Sequence, residues 1–280
     1  MREQKAAPES KGAQEVKAYL LLARPTNALM VFLAAIITGI VAGAPFSCTL
    51  PAALGAALVS AGAQAINDYY DYEVDRKKGK QQLLERGKIL RAAITFYALG
   101  VAVAVLASFF LGVLAALAAF LSWVYSAHLR RVKYVGNLVV AFLTAFVFIF
   151  AGICGDVSRV LFLFLLTFLV SWAREIVKDV EDLPADYGHK VTLPMLVGEQ
   201  MAGYLAAYFI LLAVFFSLFP GPFGFNIFSI WYYYVLVVAH LLLIVSVLYI
   251  LRGRSREAQR LCKAGMLVAL LAFAAGTVLP

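Results

Sequence analysis

The stretch Ala65 to Lys80, AINDYYDYEVDRKKGK, decides how the rest of the chain is read. It begins as the end of the apolar run Leu50 to Ile66 and finishes in a burst of positive charge. Asn67, Asp68, Asp71 and Asp75 lie within it. At about 100° per residue on a helix, these four side chains fall within roughly a quarter turn of one another. Four oxygen-bearing groups on one face, three of them carboxylates, repel one another unless a cation lies between them. Ionisable groups where a membrane helix emerges are costly and mark function. Oxygen-only ligands favour a hard cation such as Mg2+.

The surrounding composition makes that run a membrane helix. Of 280 residues, 63% are hydrophobic and 14% charged, with a mean hydropathy of +0.87. A soluble domain carries about 25% charged residues. The apolar runs have helix length rather than the alternation of barrel strands. The chain therefore reads as one all-α polytopic membrane domain over residues 1–280. Nine spans are expected, at 27–43, 51–75, 91–108, 110–127, 136–153, 160–182, 200–218, 229–250 and 261–279. The turn from Ser108 to Gly112 is the least marked boundary, and counts of eight or ten spans are the alternatives. Residues 1–15 are expected to be unstructured. No cleavable signal peptide is expected, because the first 26 residues are polar, mixed in charge and lack an apolar centre. Cys48, Cys154 and Cys262 show neither metal-ligand spacing nor an obvious pair, and read as helix-packing residues.

The net charge of +8 follows topology rather than a nucleic-acid surface. With the N-terminus inside, the inner segments hold 23 of the 24 lysines and arginines, and only Arg159 falls outside. This bias satisfies the positive-inside rule and implies a multi-pass cell-membrane protein with a cytoplasmic N-terminus and a cytoplasmic acidic stretch. Trp231 to Tyr234, on the opposite side, read as an interfacial aromatic belt. The basic run Arg252 to Arg260 reads as an orientation and lipid-headgroup feature. Membrane lipids are thus the surroundings, and nucleic acid is not a partner.

A second acidic stretch ends the sixth span, SWAREIVKDVEDLPADYGHKVTLP from Ser171 to Pro194. Glu175, Asp179 and Asp182 share one helical face about 60° wide. Asp186 continues that face if the helix persists, but Pro184 is expected to end or bend it first, leaving Asp186 to reach over from a loop. Arg174, Lys178 and Lys190 lie alongside, and Glu181 points elsewhere, toward solvent. The two acidic stretches stand four spans apart, so both end on the same side. Helices one to four and five to eight then form two four-helix units, with the ninth added. Loops 76–90 and 183–199 cap them on the cytoplasmic side. Two facing carboxylate walls suit a diphosphate bridged by divalent ions, which neutralise a leaving group as its carbon–oxygen bond breaks. His128, His189 and His240 are scattered, and His240 reads as a packed polar residue rather than a ligand.

The motifs NDYYDYEVD (Asn67–Asp75) and REIVKDVEDLPAD (Arg174–Asp186) resemble the two signatures of the UbiA superfamily of intramembrane prenyltransferases. Arg24-Pro25, Tyr125-Ser126, Gly136-Asn137 and Thr192-Leu193-Pro194 also stand where that family has similar residues. The resemblance implies a Mg2+-dependent prenyltransferase taking a prenyl diphosphate donor and a lipophilic acceptor. The R-E-I-x-K-D form is most like the ether-lipid branch, which implies geranylgeranyl diphosphate as donor and geranylgeranylglyceryl phosphate as acceptor. Carried over by position, Asn67, Asp71 and Asp75 match the first metal motif, and Asp182 and Asp186 the second. Asp68 and Asp179 match further acidic positions. Arg130 stands near a family basic residue, and with Arg174, Lys178 and Lys190 is expected to contact the diphosphate. Tyr125 is the candidate for stabilising the allylic cation by its aromatic face. Phe146, Phe148 and Phe150 read chiefly as lipid- or core-facing. One departure stands out. The family's usual Arg and Pro after the first motif fall here at Gln82 and Leu83, so that basic contact is either lost or supplied by Lys78, Lys80 or Arg86. The alternatives are transfer to an aromatic ring and, from another class, a cation transporter, whose acids would sit nearer mid-membrane.

Overall fold

A computed structural model describes residues 11–279 apart from 78, 80–81, 130–131, 133–134 and 187–190. Among the described residues every regular element is helical. The helices are α1 (Lys11–Leu22), α2 (Pro25–Val41), α3 (Phe46–Lys77), α4 (Arg86–Ala107), α5 (Phe109–Ala127) and α6 (Val135–Gly152). They continue with α7 (Leu161–Asp186), α8 (Leu193–Val197), α9 (Glu199–Phe216), α10 (Trp231–Leu251) and α11 (Ser255–Val278). Among the described residues eight are long and apolar enough to cross a membrane, or nine if α1 and α2, a pair bent by 47°, are counted as one span. Residues 11–15, expected to be unstructured, form the first turns of α1. The remainder of that segment lies outside the described residues.

The bend between α1 and α2 has a local cause. Arg24 adopts a left-handed backbone, φ 46°, and Pro25 opens α2. A non-glycine residue there costs about 1–2 kcal/mol, while proline suits the first helical turn. The weak boundary between the third and fourth spans proves to be the single residue Ser108. Its backbone is extended, and its hydroxyl accepts from Leu111 N at 3.1 Å, capping α5.

Two apolar cores divide the bundle. One draws on α1, α3, α4 and α5. The other joins α6, α7, α9, α10 and α11 with the end of α2. Small residues bring α3 and α4 together: a Cβ on Gly55 would lie 2.9 Å from the Gly100 carbonyl oxygen. Helix α2 packs on α3, α6 and α11, and α11 on α7 and α10, so α2 joins the two groups.

Two expectations are corrected. Cys48 and Cys154 are not unpaired packing residues: they form a disulfide, Cα–Cα 5.7 Å, joining the start of α3 to the turn after α6. Beside it the Asp156 amide donates to the Ala42 carbonyl at 2.9 Å, tying the same two turns. Only Cys262 is a buried free thiol. Pro184 does not end α7, which runs on to Asp186. It falls in the last turn, where little helix remains to be disrupted.

Candidate active site

Both acidic helices end at the same end of the bundle, opposite the disulfide. Helix α3 packs on α2 and more lightly on α6, α7 packs on α6, and α3 and α7 do not pack substantially on one another, so the two acidic faces stand on separate helices with α6 touching both. On α3, the Asn67 amide donates to Asp71 Oδ2 at 3.2 Å. Arg24 reaches the same face from the bend between α1 and α2. It donates to Gln64 Oε1 at 2.5 Å and to Asp68 Oδ1 at 2.7 Å. Gln64 lies on the helical face of Asn67, Asp71 and Asp75, one turn deeper. It is a site residue that the reading of the sequence missed, although a lone polar residue at i−3 from Asn67 was the available signal.

On α7, Glu175 and Asp179 are buried, at 7% and 6% exposure. Charged groups so enclosed need partners. Arg174 donates to Glu175 at 2.6 Å, and the Asn137 amide at the start of α6 donates to Asp179 Oδ2 at 2.6 Å. Asp182 is half-buried one turn on. Asp186 continues the face by backbone register, but its side chain lies outside the described residues, as do Arg130, Lys190, Lys78, Lys80 and His189. Lys178 is exposed. Glu181 does point away from that face, yet it is not merely solvated: Arg256 and Gln259 of α11 donate to it at 3.2 and 2.6 Å. Tyr125 is half-buried in the last turn of α5, which packs on both α3 and α6.

Arg86, one candidate for the displaced grip, lies elsewhere. Its guanidinium stacks 4.5 Å from the centre of the Tyr69 ring. Tyr69 is about 120° or more around α3 from Asn67, Asp71 and Asp75. Lys88 likewise is taken, paired with Glu15 of α1 at 2.8 Å. Arg86 and Lys88, in the first turn of α4, therefore brace α3 and α1.

Beneath the acidic end of α7, a cavity of about 130 Å³ lies among α2, α6, α7, α9, α10 and α11. Its walls are apolar apart from Thr144, Thr167, Ser217 and His240, and Phe148 is one of them. Phe146 and Phe150 pack instead with the α3–α5 core. His240 is thus bonded, to Ser217 Oγ at 2.7 Å, and also faces a cavity. Of the expected aromatic belt, Trp231 and Tyr234 are exposed, whereas Tyr232 is fully buried.

The UbiA prenyltransferase family model matches residues 27–275, nearly the whole of this helical bundle. The chain belongs to the UbiA prenyltransferase family. It is an enzyme that transfers prenyl groups. It is 37% identical over 273 residues to digeranylgeranylglyceryl phosphate synthase of Methanopyrus kandleri, covering 93% of this chain and 99% of that one. A solved structure from work on digeranylgeranylglyceryl phosphate synthase in membranes superposes with TM-score 0.76 at 27% identity, covering 94% and 99% of the two chains. A UbiA homologue from Archaeoglobus fulgidus, bound to DMAPP and Mg2+, shares the fold with TM-score 0.60 at 20% identity, covering 92% and 97%.

Among the described residues no three acids, histidines or cysteines stand together as a ready-made metal cage. The donor chemistry nevertheless fits Mg2+. Asn67, Asp68, Asp71, Asp75, Asp179 and Asp182 offer oxygen only, and Mg2+ is typically held by one or two carboxylates with waters and substrate phosphates completing the shell.

Proposed function

We propose that this prenyltransferase joins the geranylgeranyl group of geranylgeranyl diphosphate to geranylgeranylglyceryl phosphate, with Mg2+, at a cytoplasmic active site. One observation carries the reading: two oxygen-rich helix faces end at the same end of the bundle. The names of the relatives supply the acceptor class, and the Mg2+ and DMAPP of the Archaeoglobus homologue favour a metal-assisted diphosphate donor.

Asn67, Asp71 and Asp75 on α3, and Asp179, Asp182 and Asp186 on α7, would hold the metal, with Asp68 beside them. The metal supplies charge neutralisation of the departing diphosphate. Arg130, Lys178 and Lys190 add charge-assisted contacts to phosphate oxygens. Arg174, bonded to Glu175, helps fix the α7 wall. The allylic carbon–oxygen bond breaks with both electrons leaving on the diphosphate. Tyr125 offers its ring face to the resulting cation. The acceptor hydroxyl oxygen then forms the ether bond and loses its proton. The cytoplasmic placement draws on the positive-inside bias. It draws also on the Cys48–Cys154 disulfide at the opposite end, since such bonds persist on the oxidising side of a membrane.

The test is direct. Purified protein in detergent, given radiolabelled geranylgeranyl diphosphate and candidate acceptors, should form the ether with Mg2+ and none with EDTA. Product from an aromatic acceptor alone would overturn the acceptor assignment.

A further inference from the structure

The two acidic faces stand on helices that do not pack substantially on one another, yet a line of polar side chains runs from one to the other. It starts on α3, where Gln64 and Asp68 accept from Arg24 at 2.5 and 2.7 Å. Arg24 is the left-handed residue that turns α1 into α2. Three residues on, in the first turn of α2, Asn27 Oδ1 accepts from Lys263 Nζ of α11 at 3.3 Å. On α11, Arg256, Gln259 and Lys263 fall within about 60° of one another, at about 100° per residue. Arg256 Nε and Gln259 Nε2 donate to the two carboxylate oxygens of Glu181 on α7, at 3.2 and 2.6 Å. Glu181 lies about 100° or more around α7 from Asp179 and Asp182, so the line ends on the back of the α7 wall.

The end of α7 needs such a hold. Pro184 has no N–H to give the Val180 carbonyl, so the turn that carries Asp182 and Asp186 lacks one helix bond. The Asn137–Asp179 bond ties this wall to α6. The polar line ties it, through α11 and α2, to the α3 wall. Its exposed links each contribute little to stability, so the line acts on spacing rather than on folding, and only while every link is closed. We infer that Arg24, Asn27, Lys263, Gln259, Arg256 and Glu181 form a strap that sets the separation of the two acidic walls. Asn27, Lys263 and Glu181 are thereby positioning residues for the transfer reaction. That role rests on the reading above, in which both walls hold the metal of one prenyl-diphosphate site.

The experiment uses the full-length protein in detergent and cuts the strap at two separate links. Asn27→Leu parts α2 from α11, and Glu181→Leu parts α11 from α7. Each should raise the KM for geranylgeranyl diphosphate about threefold, the scale of an exposed ion pair, with kcat within about twofold and the thermal midpoint within about 3 °C. The double variant should also stay at about threefold, because a strap cut once is already open, whereas independent sites would multiply to about ninefold. A second readout needs neither metal nor turnover. Spin labels on Glu73→Cys of α3 and Lys178→Cys of α7, both exposed positions, report the wall separation in the metal-free protein by pulsed electron resonance. Cys262 is buried and stays unlabelled. Either cut should widen the distance distribution by at least about 2 Å, the scale of a helix shift. Glu257→Gln, which loosens the Arg254–Glu257 pair outside the strap, should leave both KM and width at wild-type values. A double variant at about ninefold, an unchanged width, or an equal effect from Glu257→Gln would overturn the strap. If the wild-type protein transfers from no prenyl diphosphate while the distances respond as stated, the strap stands and the reading of the site falls.

Discussion

Replacing Asn137 by leucine probes how the α7 wall is held. The Asn137 amide donates to Asp179 Oδ2 at 2.6 Å, and Asp179 is only 6% exposed. A hydrogen bond to a charged group contributes about 1.5–3 kcal/mol, and removing an outer partner of a metal ligand typically lowers metal affinity about 10–100-fold. Leucine is close in size, so the helix contact survives while the donor is lost. Asp179 keeps another interaction, so its carboxylate is not left bare. The lower half of the range applies: about a 10–30-fold rise in the Mg2+ concentration giving half-maximal activity, with most of the maximal rate recovered at high Mg2+. Initial rates of radiolabelled ether formation against free Mg2+ measure it. A half-activation concentration within about twofold of wild type, at wild-type rate, would refute a role for Asn137 in aiming Asp179 at a metal.

Two further outcomes follow from the same structure. Cys48→Ser removes a cross-link between residues 106 apart, for which chain entropy alone gives at most about 4.7 kcal/mol. Inserted helices already restrict the unfolded chain, so a smaller loss is expected. A lowered thermal midpoint in detergent, matched by reductant on the wild type, checks it, and no change in either would show the bridge to be absent. For orientation, an impermeant maleimide applied to intact cells should label Arg159→Cys and spare Arg252→Cys, with Cys262 silent because it is buried. The reverse pattern would invert the assigned topology.

The helical bundle and its acidic faces were legible because both are short-range properties. Hydropathy marks the spans, and 100° spacing alone puts Asn67, Asp71 and Asp75 together. What the sequence hid depends on distant segments meeting. Cys48 and Cys154 carry no spacing signal because folding, not proximity in the chain, pairs them. Glu181 looked solvated until α11 brought Arg256 and Gln259 to it. Arg86 looked available as a phosphate grip. Its stacking on Tyr69, around the far side of α3, is set by the loop's path rather than by its own residue type. Pro184 was over-read because a proline in a helix's final turn disrupts little.

The most direct measurement is Mg2+-dependent prenyl transfer by purified wild type, Asp71→Ala and Asp182→Ala, one acid from each wall, with folding checked by thermal midpoint. Folded variants should each lose at least about a hundredfold in kcat/KM, about 2.7 kcal/mol of transition-state stabilisation. Wild-type transfer by either folded variant, or undiminished transfer in EDTA, would contradict a site built from two metal-holding acidic walls.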